Sequence, residues 1–177
     1  GCGLGVCDDT LKIVFSLIEN STTPLVLDAD ALNCVAKQPE ILLRKKAPII
    51  ITPHPGEMSR LTGLATPLVN AERERVALDF AQKYGVVTVL KGAGTVIASP
   101  NGKVLVNPTG NSGMATGGSG DVLAGMTASI LAQGASAFSS AAAAVYLHGL
   151  AGDIAAEKYG KISMLPTDLI NCIPLAY

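Results

Sequence analysis

Residues 107–125 read N-P-T-G-N-S-G-M-A-T-G-G-S-G-D-V-L-A-G, and an apolar run follows them. Glycine permits positive φ angles and close approach of a ligand to the backbone, so this concentration of glycines favours a binding loop. We predict a helix that begins near Ser119 to Asp121, whose free N–H groups and positive dipole end favour phosphate. Asp121 is then a candidate catalytic base. The alternative is a helix-terminal carboxylate that only complements the dipole.

The stretch is not a P-loop, because no G-K-[ST] follows its glycines and it contains no lysine. The ordinary chemistry of P-loop nucleotidases is therefore not expected.

The composition predicts one domain of ordinary size. The 177 residues are 49% hydrophobic and 15% charged, and the formal net charge of −1 gives no indication of a nucleic-acid-binding surface. Four cysteines form no C-x-x-C pair, and the amino terminus lacks a signal-peptide pattern, so we expect a cytoplasmic protein. Residues 122–152 carry no Asp, Glu, Lys or Arg, but a polar turn near Gln133 favours two buried helices over a membrane span.

Apolar runs of strand length alternate with helical periodicity along the chain. Strands are predicted at 24–30, 48–52 and 86–90, followed by a β-hairpin of 95–98 and 103–106. Helices are predicted after the amino-terminal G-C-G-L-G turn and at about 40–46, 70–84, 137–159 and 167–173. This alternation favours an α/β fold, a three-layer α/β/α sandwich around a mainly parallel sheet.

Polar residues follow each of the first three predicted strands, where open α/β sheets bind their ligands. Asp28 ends the first strand, which would also suit a dinucleotide site with this carboxylate on a ribose. His54 and Glu57 follow the second strand, where a structural helix start is the competing interpretation. Lys91 begins K-G-A-G-T after the third strand, and it is either a phosphate contact or a surface charge.

Six motifs occur in one order over essentially the whole chain: G-L-G, L-D-A-D-A-L, T-P-H-P-G-E, K-G-A-G-T, the stretch 107–125 and Y-L-H-G-L-A-G-D. Together they resemble the NAD(P)H-hydrate dehydratase family of the ribokinase-like superfamily. Serine in G-S-G-D, where threonine is common, is a mild departure. The family's domain normally carries further strands and helices before G-L-G. The resemblance thus implies that residues 1–177 are a single ribokinase-like domain without its amino-terminal segment.

The resemblance implies the repair of hydrated NADH or NADPH. ADP or ATP, with Mg²⁺ as cofactor, would phosphorylate the hydroxyl on the damaged ring, and phosphate would then leave. Asp121 would be the base and would contact the hydrated dinucleotide together with Gly5 and His54, while Glu57 would contact the metal through water. The expected nucleotide-binding residues are Lys91, Gly92, Ala93, Gly94, Thr95, Gly117, Gly118 and Gly120.

Two rival functions stay open at this stage. A kinase of the same superfamily, acting on a vitamin precursor or a sugar, would share the glycine loop and the base, although such kinases tend to carry asparagine in place of His54. A non-catalytic dinucleotide-binding module is favoured by G-C-G-L-G and Asp28. For each function we expect small-molecule ligands, no nucleic acid and no membrane, and the apolar, alanine-rich composition predicts a homo-oligomer.

Overall fold

The computed structural model describes all of residues 1–177. The strands are β1 (Leu25–Leu27), β2 (Ile49–Ile51), β3 (Val87–Leu90), β4 (Val96–Ala98) and β5 (Val104–Val106). The α-helices are α1 (Asp8–Asn20), α2 (Asp30–Val35), α3 (Pro55–Thr62), α4 (Thr66–Ala71), α5 (Arg73–Tyr84), α6 (Ser119–Ala132), α7 (Ala137–Tyr159) and α8 (Pro166–Cys172). Turns of 3₁₀ helix occupy Pro39–Arg44, Ser112–Met114 and Ile173–Leu175.

The five strands form one sheet in the order of the sequence. β1, β2 and β3 pair in parallel, and the hairpin of β4 and β5 adds two antiparallel pairings beside β3. The three residues of β2 are completely buried, which explains why this strand is a continuous run of isoleucine rather than an alternating pattern.

Helices cover both faces of the sheet and produce the three layers. Ile49 and Ile51 point into a core shared with helices α1 to α5, whereas Ile50 points into a second core with α6 and α7. α8 packs on the outer side of α7 through Leu169 and Cys172. The predicted three-layer α/β architecture is confirmed, and the hairpin makes the sheet mixed, with two parallel and two antiparallel pairings.

Most predicted elements occur within a few residues of their expected positions, with two differences. The region predicted as one helix at 70–84 is divided at Glu72, whose φ of −126° and ψ of 41° leave the helical region between α4 and α5. The segment predicted as a short helix at 40–46 is the 3₁₀ turn Pro39–Arg44.

The uncharged stretch 122–152 lies within α6 and α7, which are joined by a short turn. None of the helices combines the length and the apolar character needed to cross a membrane.

Candidate active site

The carboxyl ends of three neighbouring strands meet at one edge of the sheet. Because β1, β2 and β3 run parallel, the residues that follow them, Asp28, the segment 52–57 and Lys91, are brought together. Lys91 N also donates a hydrogen bond to Pro53 O at 2.8 Å, so the backbone pairing continues past the strand ends. Polar residues that are far apart in the sequence therefore form one site.

A buried ion pair lies at the centre of this site. Lys91 Nζ is 2.6 Å from Asp28 Oδ1, and the Asp28 side chain is only 3% exposed. Glu57 Oε2 is 3.8 Å from the same ammonium group. A buried carboxylate is costly unless it is paired, so Lys91 neutralises Asp28 and is held in position by it. The Lys91 side chain is 18% exposed and is not a free surface charge.

His54 and Glu57 cap the start of α3. Glu57 Oε2 accepts a hydrogen bond from His54 N at 2.8 Å, and His54 Nδ1 accepts one from Gly56 N at 3.0 Å. Since Nδ1 is an acceptor, the proton of the neutral ring lies on Nε2, which is 3.5 Å from Glu57 Oε1. The ring is half exposed, so the imidazole edge is accessible to a ligand although its other nitrogen caps the helix. The structural interpretation made from the sequence therefore applies to this histidine, and its predicted contact with substrate stays a prediction.

Asp121 lies in the first turn of α6, beside the same ion pair. Its carboxylate, the Asp28 carboxylate and the Cys2 thiol offer ligand atoms that all lie within 4.8 Å of one another. Burial, a hydrogen bond with Asp121 and the charges of Asp121 and Asp28 raise the pKa of Cys2 from 9.0 to about 11. The thiol is therefore protonated at neutral pH. Unlike Asp28, Asp121 is exposed and has no cationic side chain within ion-pair distance.

The amino-terminal end of α6 lies against the ion pair at Gly120. A Cβ at Gly120 would lie 3.4 Å from Lys91 Nζ and 3.9 Å from Asp28 Oδ2. Gly118 is the N-cap of this helix and has a φ of 97°, a conformation that glycine adopts without strain. Free N–H groups and the positive end of a helix dipole thus adjoin an ammonium group, a combination that favours phosphate.

A cavity of about 590 Å³ extends from this point. The loop 91–95 forms one side and the segment 107–112 forms another, while Ser119 and Gly120 border it at the start of α6. The Ser119 hydroxyl is buried without a hydrogen-bond partner, which makes it an available donor at the cavity wall. The predicted nucleotide-binding residues that line the cavity are Lys91, Gly92, Ala93, Gly94, Thr95 and Gly120, whereas Gly117 and Gly118 do not line it.

α7 supports the glycine-rich segment along its length. The Asp153 carboxylate accepts hydrogen bonds from Gly110 N at 2.8 Å and from Asn111 Nδ2 at 2.9 Å. A Cβ on Gly149 would lie 2.1 Å from Thr109 Oγ1, so the loop rests directly on the helix backbone. These contacts explain the spacing in Y-L-H-G-L-A-G-D, where Gly149 and Asp153 lie one turn apart on the same face of α7.

His148, in the same motif, connects α7 to α6. Its Nε2 is 3.0 Å from Ser119 O at the start of α6. Burial and, to a smaller extent, the charge of Lys91 lower the pKa of His148 from 6.5 to about 4, although the hydrogen bond to Ser119 O opposes this change. The imidazole is therefore neutral at physiological pH, and Nε2–H donates to the carbonyl. His148 fixes the helix end that carries Asp121.

The segment between β1 and α2 has an unusual backbone. Ala29 has a φ of 52° and a ψ of −120°, and it is the only non-glycine residue with positive φ. This residue separates Asp28 from Asp30, whose carboxylate accepts a hydrogen bond from Gly5 N at 2.8 Å. Strained residues of this kind cluster at functional sites. Gly5 is thereby held near the site, and its predicted contact with substrate stays a prediction.

The sequence analysis did not identify every residue of the site. Asp28 was considered only as a ribose ligand, whereas it is the buried partner of Lys91. His148 and Asp153 were noted only as part of a motif. The detectable signal was their spacing with Gly149 and Gly152 on one predicted helix.

The fold and the site define a ribokinase-like α/β protein with a glycine-rich segment beside a buried ion pair. A crystal structure of a ribokinase-like superfamily protein from Enterococcus faecalis is 31% identical, with a TM-score of 0.79 over 98% of this chain and 59% of that chain. The family model for NAD(P)H-hydrate dehydratase matches residues 1–175. The chain belongs to this family.

Two relatives illustrate the likeness. The bifunctional NAD(P)H-hydrate repair enzyme of Thermofilum pendens is 45% identical over 176 residues, which are 99% of this chain and 34% of that protein. The ADP/ATP-dependent NAD(P)H-hydrate dehydratase of Bacillus subtilis, co-crystallised with ATP and Mg²⁺, is 35% identical with a TM-score of 0.81, over 90% of this chain and 56% of that chain. The chain thus spans a third of the first relative and just over half of the second.

Proposed function

We propose that this chain is the part of an NAD(P)H-hydrate dehydratase that binds the phosphoryl donor and carries the catalytic base. Its reaction would restore hydrated NADH or NADPH by phosphorylation of the ring hydroxyl and elimination of phosphate. The observation that carries this proposal is Asp121, an exposed carboxylate without a cationic partner at the start of α6, beside both the Lys91–Asp28 pair and the cavity. The names of its relatives support the choice of substrate.

The donor, ADP or ATP, would occupy the cavity beside the loop 91–95. Its phosphates would face Lys91, the N–H groups of this loop and the start of α6, since these groups supply the positive charge. The buried Ser119 hydroxyl is a further available donor on this wall. Gly117 and Gly118 would act by giving the backbone its path into α6 rather than by lining the cavity.

Asp121 would take the proton of the ring hydroxyl as that oxygen attacks the terminal phosphorus. One O–P bond forms, and the bond between the terminal phosphoryl group and the rest of the nucleotide breaks. Phosphate then leaves with the electrons of the ring C–O bond, and a neighbouring ring carbon loses a proton to restore the double bond. Positioning and charge stabilisation are the main contributions that a protein makes to such a transfer.

The hydrated dinucleotide would contact Gly5, whose N–H group donates to Asp30 after β1, and His54, which follows β2. The half-exposed imidazole offers a donor at Nε2, and the Gly5 segment is tied to Asp30. This arrangement would hold the ring hydroxyl between Asp121 and the donor.

The oxygen ligands in the site fit Mg²⁺, which is usually bound by one or two carboxylates together with substrate phosphates. Asp28 uses Oδ1 for Lys91, and Oδ2 faces the cluster with Cys2 and Asp121. We assign Asp28 as the residue that would hold the ion and Glu57 as a contact through water, which leaves Asp121 for the hydroxyl. A bound Mg²⁺ would offset charge on the transferring phosphoryl group.

The test follows the near-ultraviolet absorbance of reduced nicotinamide. The natural full-length polypeptide is mixed with hydrated NADH, Mg²⁺ and either ADP or ATP. Recovery of the absorbance with one nucleotide supports the proposal and identifies the donor. Consumption of nucleotide on other alcohols, without recovery, would instead assign a small-molecule kinase, and binding of NADH without phosphate transfer would assign a silent dinucleotide-binding module.

Two further features belong to the proposal. All four cysteines are free, which supports a reducing location such as the cytoplasm.

Exposed apolar side chains on the carboxyl-terminal segment, among them Ile170, Leu175 and Tyr177, support a homo-oligomer. Sedimentation velocity at several protein concentrations tests this oligomeric state.

A further inference from the structure

Arg73, the first residue of α5, lies directly against the loop 91–95. Its Nη2 donates hydrogen bonds to Leu90 O at 2.8 Å and to Gly94 O at 3.3 Å, and its Nη1 donates to Lys91 O at 3.3 Å. One planar group thus connects the end of β3 to both sides of the loop. A guanidinium suits this task because its donors are arranged in a rigid fork.

The loop is shaped around this guanidinium. Gly92 has a φ of 147°, and a Cβ there would lie 2.6 Å from Arg73 Nη1. A side chain at position 92 would displace the guanidinium and would be strained at this φ, so glycine suits both the loop conformation and the contact with Arg73. The conformation of the loop that lines the cavity is therefore tied to Arg73 by three hydrogen bonds and this close contact.

The electrostatic setting of Arg73 is unfavourable for a purely structural cation. It is half-buried, and burial lowers its pKa below its ordinary value. It also sits at the amino-terminal, positive end of α5, and its hydrogen bonds all go to backbone carbonyls rather than to a carboxylate. Arg75, on the same helix, has an ordinary surface arrangement with Glu72 and Asp79.

We propose that Arg73 is a positioning residue for the nucleotide. It holds the loop 91–95 so that Lys91 and the following N–H groups face the donor phosphates, and it adds positive charge behind them. The inference rests on the nucleotide site of the proposed function, but not on the dehydration reaction itself.

The competing explanation is that Arg73 only anchors α5 to the sheet. That role predicts a loss of thermal stability in an Arg73 variant, with equal effects on the KM values for nucleotide and for hydrated NADH. A positioning role predicts a loss confined to nucleotide binding. The KM values for the two substrates therefore separate the explanations.

The experiment compares wild type, Arg73→Gln, Arg73→Lys and the matched control Arg75→Gln by calorimetric titration with ADP and ATP, thermal unfolding and steady-state kinetics. We expect Arg73→Gln to weaken nucleotide binding about tenfold or more, the scale of one lost charge-assisted hydrogen bond. Its KM for hydrated NADH and its turnover at saturating nucleotide stay within about threefold of wild type. Arg73→Lys recovers part of the affinity, because an ammonium keeps the charge but does not reach three carbonyls. Arg75→Gln binds as wild type.

A folded Arg73→Gln variant with wild-type nucleotide affinity, or with equal losses for both substrates, overturns the inference. If Arg73→Gln does not fold, a folded Arg73→Lys variant with unchanged nucleotide affinity has the same meaning. A wild-type protein that binds no nucleotide overturns this inference together with the nucleotide site. Wild type that binds nucleotide but restores no absorbance removes only the proposed reaction.

Discussion

At the scale of single residues, the site contains two carboxylates in different electrostatic surroundings. Asp28 is buried and paired with Lys91, so its charge is already compensated. Asp121 is exposed and unpaired with any cation, although it lies within the same cluster of ligand atoms. A group that must accept a proton from a substrate needs access and an uncommitted lone pair. Of the two, Asp121 meets both requirements.

Asp121→Asn removes the proton acceptor and retains the size of the side chain. We expect turnover to fall by about 10²–10⁴, the usual contribution of a general base, while nucleotide affinity stays nearly unchanged. Steady-state kinetics and calorimetric titration measure the two effects. Asp8→Asn, which also replaces a carboxylate in the first turn of a helix, is the matched control and should leave turnover intact. Near-normal turnover in Asp121→Asn would remove this residue from the mechanism.

Ala29→Gly tests the strain beside Asp28. An alanine with a φ of 52° and a ψ of −120° is strained by roughly 1–3 kcal/mol, and glycine relieves this at an entropic cost of about 0.5–1 kcal/mol. We expect a net gain of about 1 kcal/mol in the free energy of unfolding, measured by urea denaturation. Ala143→Gly, in the interior of α7, is the control and should lose about 1 kcal/mol. A loss at position 29 similar to that at position 143 would contradict the strain.

The residues that the sequence could identify are those whose neighbours in the chain reveal their role. Lys91 was located by K-G-A-G-T, and Asp121 by its place after the glycines. The partner of Lys91 could not be read in this way, because Asp28 is 63 residues away and the contact depends on how β1 and β3 lie on either side of β2. Arg73 was not identified from the sequence either, because its hydrogen-bond acceptors are backbone carbonyls, which carry no sequence signal.

At the scale of elements, α7 acts as a rigid support for the segment 107–112. Glycine at position 149 lets the loop lie on the helix backbone, and Asp153 binds the loop one turn further on. Loops that bind ligands are ordered by the scaffold below them. The shape of the cavity therefore depends on the helix as much as on the loop.

Gly149→Ala places a methyl group where Thr109 now lies. The added Cβ would be 2.1 Å from Thr109 Oγ1 and 2.8 Å from its carbonyl carbon, so the loop backbone must shift. We expect unfolding free energy to fall by about 1–3 kcal/mol and nucleotide affinity to fall with it. Gly125→Ala in α6 is the control, because its Cβ meets nothing within 4 Å and should stabilise the helix by about 1 kcal/mol. Wild-type affinity in Gly149→Ala would show that the cavity does not depend on this contact.

Elements with strong local signals were predicted well. The start of α6, the span of α7 and the hairpin of β4 and β5 follow from glycine, periodicity and turn residues. The break between α4 and α5 was missed because Glu72 has no breaker character of its own. The break places Arg73 at the start of α5, where its side chain reaches the end of β3 and the loop 91–95. This contact is tertiary, so the local sequence does not reveal it.

At the scale of the whole molecule, hydrophobicity identified the layers but not which apolar residues they bury. On α1, Val14 and Ile18 are buried, whereas Ile13 and Leu17 are about half exposed at 53% and 51%. All of them fit one helical pattern in the sequence, so periodicity alone could not separate the covered face from the open one.

The titration of His148 links the stability of the whole fold to pH. Its neutral form is buried between α7 and the start of α6, and its pKa falls from 6.5 in the unfolded chain to about 4 in the fold. Between these values the unfolded state binds a proton that the folded state does not. The contribution of neutral His148 to the free energy of unfolding is therefore fully present above about pH 6.5 and is lost as the pH falls towards 4.

His148→Gln keeps a nitrogen donor for Ser119 O but does not titrate. We expect the variant to lack the part of the pH dependence that His148 causes, so the difference in unfolding free energy between wild type and variant should change by about 2 kcal/mol between pH 7.5 and pH 5. Urea denaturation across this range measures it, and the subtraction cancels the carboxylates that titrate in both proteins. A flat difference for His148→Gln would mean that the imidazole takes up a proton equally readily in the folded and the unfolded protein, which would contradict its burial as a neutral group.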